Sequence, residues 1–90
     1  LVIVDFWGHP CPDCADFARD EPHLYAQIDH FPVRVVKVNA YNEIDLSARF
    51  GLRGVPTFLL FKNGEMRHRM SFYPGPDRWL EIVNRAAARN

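Results

Sequence analysis

Residues 4–14, VDFWGHPCPDC, carry a carboxylic acid, Asp5, inside an apolar run and then two cysteines, Cys11 and Cys14, separated only by Pro12 and Asp13. The run starts at Leu1, and its β-branched and aromatic side chains through Trp7 mark a strand covered on both faces, which belongs in the centre of a sheet. Cys14, Phe17, Ala18, Leu24 and Ile28 then recur at three- and four-residue steps, the pattern of a helix with one buried face. A Cys-x-x-C pair at the junction of such a strand and helix has a definite geometry. Cys11 falls at the helix N-cap with its sulfur near water, and Cys14 lies one turn further in, shielded by it. Unpaired backbone N–H groups and the positive end of the helix dipole stabilise a thiolate at Cys11, which makes it the candidate nucleophile. Pro12, at the first helical position, fixes the backbone without sacrificing a needed N–H and holds the two sulfurs within disulfide reach.

Working outward, Pro22 removes a hydrogen bond to the Ala18 carbonyl and is expected to kink or break the helix. Residues 33–38, VRVVKV, read as a second strand. Asn42 is expected to cap a short helix with Asp45 in its first turn, Leu46 and Phe50 facing inward and Gly51 as the left-handed stop. TFLLF at 57–61 followed by KNGE is a strand entering an Asn63-Gly64 hairpin. In the return strand Met66, His68, Met70 and Phe72 alternate with Arg67, Arg69 and Ser71, as on a half-exposed edge whose arginines discourage further pairing. Trp79, Leu80, Val83 and Ala87 form the inner stripe of a closing helix with Pro76 in its first turn. The order is β-α-β-α-β-β-α. A helix between the first two strands makes them parallel, and the tight hairpin makes the last two antiparallel. The expected fold is α/β, a four-stranded mixed sheet flanked by helices, with residues 1–90 as one domain.

The bulk composition narrows the function. Apolar residues at 48% and charged residues at 24% are ordinary for a soluble globular chain, and Lys plus Arg balance Asp plus Glu at 11 each. With no net charge there is no broad field to attract nucleic acid or an anionic membrane, so neither is an expected partner. The apolar runs are too short to span a bilayer, and no signal-peptide pattern stands at the start. Leu1, opening directly into a strand, suggests a processed or excised piece. Two closely spaced cysteines are too few for a disulfide scaffold, so their role reads as chemical.

With these segments in place, the chain resembles the thioredoxin family. VDFWGHPCPDC resembles that family's active-site segment, FGLRGVPTFLLFKNGE at 50–65 its second signature, and VVKVNA at 35–40 the strand between them. The likeness covers nearly the whole chain, without the family's usual first strand and helix. It implies a thioredoxin-like fold and a protein-disulfide oxidoreductase, more readily reducing than oxidising. Attack by Cys11 on a partner's disulfide gives a mixed disulfide, which Cys14 resolves. It places Asp5 behind Cys14 in apolar surroundings, where its pKa is raised and it accepts the Cys14 proton. It also pairs Lys37 with Asp5, whose titration is then coupled to that of the thiols. Val55-Pro56 matches the family's cis-proline bond opposite Cys11, where the Val55 backbone pairs with an extended substrate segment. Trp7, Val55, Pro56 and Thr57 are thus the implied substrate-binding positions. Disulfide-containing proteins are the implied substrates, with an unidentified reductase as electron donor, no cofactor, a monomeric state, and the cytoplasm favoured over the periplasm.

The chain also departs from the family pattern. Pro12-Asp13 stands where thioredoxin has Gly-Pro, Pro10 replaces the tryptophan before the first cysteine, and the helix proline comes three residues late. Asp13 opposes the helix end: at roughly 6 Å a unit charge contributes about 0.7 kcal/mol in water-like surroundings and up to about 3 at an effective dielectric of 20. A Cys11 less acidic than in oxidant relatives is therefore expected, though Asp13 also suits the first helical turn in its own right. A protonated His9 would favour the thiolate, against the plainer reading of a solvated loop histidine. A metal is not expected, since His9, His23, His30 and His68 lack finger-like spacing. Apart from the resemblance, Trp7, Phe58, Phe61 and Trp79 read as core or rim packing. The alternative function is a binding or scaffold module of a larger chain, without redox turnover.

Overall fold

The computed structural model describes residues 1–89, which form β1 (Val2–Trp7), α1 (Pro12–Gln27), β2 (Arg34–Asn39), α2 (Ile44–Arg49), β3 (Thr57–Lys62), β4 (Glu65–Met70) and α3 (Pro76–Ala88). The four strands lie in the order β2-β1-β3-β4, with β1 parallel to β2 and antiparallel to β3, and β3 antiparallel to β4. The apolar run therefore sits at the centre, as its composition demands. Asp5 pairs in register with Lys37 on one side and Phe58 on the other, which lines up a carboxyl and an ammonium across neighbouring strands.

The two faces of the sheet bury different sets. Ile3, Phe58, Leu60 and Met70 meet Phe17 and Leu24 of α1 and Trp79 and Val83 of α3. The ring of Phe17 lies 4.7 Å from Phe58, 5.2 Å from Tyr73 and 5.5 Å from Trp79, so one aromatic cluster fixes both helices to the sheet. On the opposite face Phe6 and Leu59 pack with Leu46, Phe50 and Val55, placing α2 under the loop that leads into β3.

Several local expectations change. Pro22 does not break α1, which runs from Pro12 to Gln27 with the proline inside it. Pro22 is exposed, while Phe17, Glu21 and Leu24 on the other face are held against the sheet, and that anchoring outweighs one lost hydrogen bond. Ala18, expected on the buried stripe, is exposed beside a cleft. Asn42 does not cap α2: the N-cap is Glu43, with no side-chain hydrogen bond, and the turn before it is held by Asn39, whose carbonyl accepts from the N–H groups of Asn42 and Glu43. Gly51 adopts the expected left-handed conformation, with φ 62°.

The hairpin forms at Asn63 and Gly64, both with positive φ, as a two-residue turn of this kind requires. A register shift between Leu60 and Phe61 follows, and β4 ends at Met70. Of the alternating set, only Met70 is buried; Met66 and Phe72 are 47% and 61% exposed. Arg69 does more than guard an edge, because its guanidinium donates to the carbonyls of Phe50 and Gly51 and closes the C-terminus of α2. On α3 the buried alanine is Ala86, not Ala87, which keeps the three- and four-residue spacing from Trp79 and Val83. Lys62 Nζ donates to the carbonyls of Ala87 and Arg89 at 2.6 and 2.7 Å, satisfying the end of that helix. Among the described residues no helix is long and apolar enough to cross a membrane.

Candidate active site

β1 delivers the chain from the sheet centre to the N-terminus of α1 through a short loop, Gly8 to Pro10, in which the His9–Pro10 bond is cis. Cys11 then takes the extended conformation of an N-cap, with φ −159° and ψ 100°. Its sulfur stands in for the oxygen of an ordinary capping residue, accepting the Cys14 backbone N–H at 3.1 Å. Pro12 is the first helical residue and Asp13 lies in the first turn, as the sequence indicates. The cysteines are joined by a disulfide, S–S 2.22 Å, with Cα atoms 5.2 Å apart. Both remain partly exposed.

The loop before β3 approaches from the other side. The Val55–Pro56 bond is cis, and the Val55 carbonyl oxygen lies 3.6 Å from Cys11 Sγ. Thr57, 1% exposed, donates its hydroxyl to the Gly54 carbonyl at 2.8 Å. It braces the loop from below, while Val55 faces the sulfur. Trp7 and His9 line the same side of the site as Cys14 and Pro56.

Behind the disulfide, between α1 and the β1–β2 edge, lies a cleft of about 600 Å³ bordered by Asp5, Trp7, Cys14, Glu21, Lys37 and Pro56. The Asp5 side chain is 3% exposed, and its Oδ1 has no hydrogen-bond partner among the described residues. Burial pushes the Asp5 carboxyl from 3.8 up to about 6, against the lowering effect of Lys37 and with a further upward push from Glu21. Lys37 Nζ lies 3.7 Å from Asp5 Oδ2, so the expected pair is present but loose. The ammonium is held instead by Glu21 Oε1 at 2.5 Å, and Tyr25 donates to Glu21 Oε2 at 2.6 Å. Burial, followed by the bond to Glu21, raises the Tyr25 hydroxyl pKa.

Glu21 is absent from the sequence reading. The available signal was positional, since 14, 17, 21, 24 and 28 form one helical stripe and an acid stands in its middle. Tyr41 was missed as well: it borders a second hollow of about 400 Å³ with Pro10, Cys11, Asp13 and Val55. Its ring occupies the space a Cβ at Gly8 would fill, 2.5 Å from Tyr41 Cε2, which explains a glycine there. Among the described residues no group of three or more His, Cys, Asp or Glu side chains is arranged to hold a metal ion.

The family model described as Thioredoxin matches residues 1–85. A thioredoxin of Rickettsia felis is 32% identical over 85 residues, covering 94% of this chain and 80% of that one. A thioredoxin of Rickettsia bellii is 32% identical over 66 residues, or 73% of this chain, and the match spans only 62% of that protein's length. The solved structure of Fasciola hepatica thioredoxin superposes with a TM-score of 0.80 at 25% identity, covering 94% of this chain and 79% of that one.

Proposed function

The chain belongs to the thioredoxin family, and from that premise we propose that it is a protein thiol–disulfide oxidoreductase whose Cys11–Cys14 couple reduces disulfides in protein partners. The observation that carries this reading is the setting of Cys11 Sγ: partly exposed, capped by the Cys14 N–H and facing the Val55 carbonyl.

Starting from the dithiol, the Cys11 thiolate attacks one sulfur of the partner's disulfide. That bond breaks, the other partner sulfur leaves as a thiolate, and Cys11 is held to the partner in a mixed disulfide. The Cys14 thiol then loses its proton to Asp5, which shares the cleft behind it and, with a pKa near 6, is ionised at neutral pH. The Cys14 thiolate attacks Cys11 Sγ, the partner's second sulfur departs, and the internal disulfide forms. Two electrons have passed to the partner, and an electron-donating reductase of unidentified kind must return the couple to the dithiol. Helix end and capping N–H favour the Cys11 thiolate, and Asp13 in the first turn tempers it, which suits a reductant.

Substrate docks as an extended segment along the Val55 backbone, with Trp7 and Pro56 beside it and Thr57 holding the loop's shape. All the groups named come from one chain, so a monomer suffices. The test is a turnover assay with insulin and dithiothreitol. Wild type accelerates insulin reduction and Cys11→Ser does not; equal rates for the two would remove the enzyme reading.

A further inference from the structure

Resting on the exchange reading above, we infer that Glu21 is a positioning residue for the resolving step, holding the Lys37 ammonium against itself and off Asp5 so that Asp5 is left free to take the Cys14 proton. The geometry is unequal in a telling way. Lys37 and Asp5 are direct partners in the β1–β2 register, which would allow a tight pair on the sheet alone. The ammonium nevertheless sits 2.5 Å from Glu21 and 3.7 Å from Asp5, and Asp5 Oδ1 stays unpartnered among the described residues. Tyr25, one turn further along α1, donates to the other Glu21 oxygen, so Glu21 is held from both sides. A helix stripe that otherwise buries Phe17 and Leu24 spends a buried position on this acid.

The groups facing Asp5 are few. Lys37 comes from β2; Glu21, Tyr25 and, once reduced, Cys14 come from α1; His9 lines the same cleft from the loop. From β3 the neighbour is Phe58, which carries no charge. Among the described residues Glu21 therefore supplies the negative charge that acts on the Lys37–Asp5 pair. Neutralising it removes a repulsion and releases Lys37 to Asp5, and both changes favour the ionised carboxylate. A merely structural Glu21 would alter stability and leave the Asp5 titration where it stands.

The experiment follows the Asp5 carboxyl by carbon-13 NMR across pH in the oxidised protein, with no substrate. Glu21→Gln is expected to move the Asp5 midpoint down by about one pH unit or more, and Lys37→Met to move it up. Glu21→Asp, which keeps the charge, is expected to restore it in part. In stopped-flow resolution of a mixed disulfide, the acid limb shifts in the same direction as the NMR midpoint. An Asp5 midpoint that stays put or rises in Glu21→Gln overturns the inference, even if turnover is intact. Loss of turnover in wild type would instead strike the exchange reading, which the NMR titration does not depend on.

Discussion

The carbonyl oxygen of Val55 lies 3.6 Å from Cys11 Sγ, which sets a backbone acceptor beside the sulfur that the proposed function makes the nucleophile. If partners dock through this backbone, the Val55 side chain matters little and the partner's own N–H groups matter much. Val55→Ala is expected to hold exchange rates with a short disulfide peptide within about threefold. N-methylation of the peptide beside its cysteine is expected to slow exchange about tenfold, the cost of one lost hydrogen bond near 1.4 kcal/mol. Stopped-flow fluorescence with the paired peptides checks both.

Asp5 makes stability depend on pH with a definite sign. Its carboxyl is raised from 3.8 to about 6 in the fold, so the folded state binds that proton more tightly than the unfolded chain. The resulting stabilisation is present below about pH 4 and is lost as pH rises through about 6. Asp5→Asn is therefore expected to be more stable than wild type above neutrality, by about 3 kcal/mol at most, with the difference vanishing near pH 3.5. Urea denaturation of the oxidised proteins at the two pH values measures it. On the proposed role of Asp5 as proton acceptor, the same variant is also expected to resolve mixed disulfides more slowly.

Asp13 sits in the first turn of α1, one residue beyond Pro12. Replacing its charge by Asp13→Asn is expected to let the Cys11 thiolate form at lower pH and to make the disulfide more oxidising, while weakening the helix end by about 0.3–1 kcal/mol. Thiolate absorbance in the reduced protein and equilibration with glutathione give the two readings. A thiolate that forms at higher pH in the variant would show that Asp13 acts otherwise than by its charge.

Trp79 is fully buried and touches Phe17, Phe58 and Tyr25. Trp79→Ala is expected to cost about 3–5 kcal/mol, a large part of the stability of so small a fold, and to loosen α1 from the sheet along with α3. Trp79→Phe should cost less, because it keeps a ring in the cluster and removes an indole N–H that has no partner among the described residues. Chemical denaturation ranks the two.

What could be read from residue order alone was whatever is set locally or by period. The apolar run at 1–7, the three- and four-residue stripe after Cys11 and the Asn63-Gly64 turn each declare their element within a few residues, and the strand order follows from the connections. Asp5 stood out because a carboxylate between Val4 and Phe6 has few places to go. Glu21 did not, because an acid on a helix is ordinarily solvated. What buries it is Lys37, arriving from a strand 16 residues further along. The cap of α2 was misplaced for a related reason: the turn is built from the Asn39 backbone and closed by Arg69 from β4, neither of which lies inside the helix signal. In β4 the register shift beside Phe61 takes Met66 out of alternation with Met70, a tertiary adjustment that strict alternation cannot express, and Phe72 lies beyond the strand's end.

The most direct measurement of the exchange claim is a single turnover followed by acid quench and mass analysis, mixing reduced protein with an equal amount of a cystine-containing protein. Exchange at Cys11 predicts a transient adduct joined through Cys11, followed by one Cys11–Cys14 disulfide formed for each partner disulfide opened. A partner that gains two thiols with no adduct at Cys11, or a Cys11–Cys14 pair that stays reduced while the partner's disulfide persists, would contradict it.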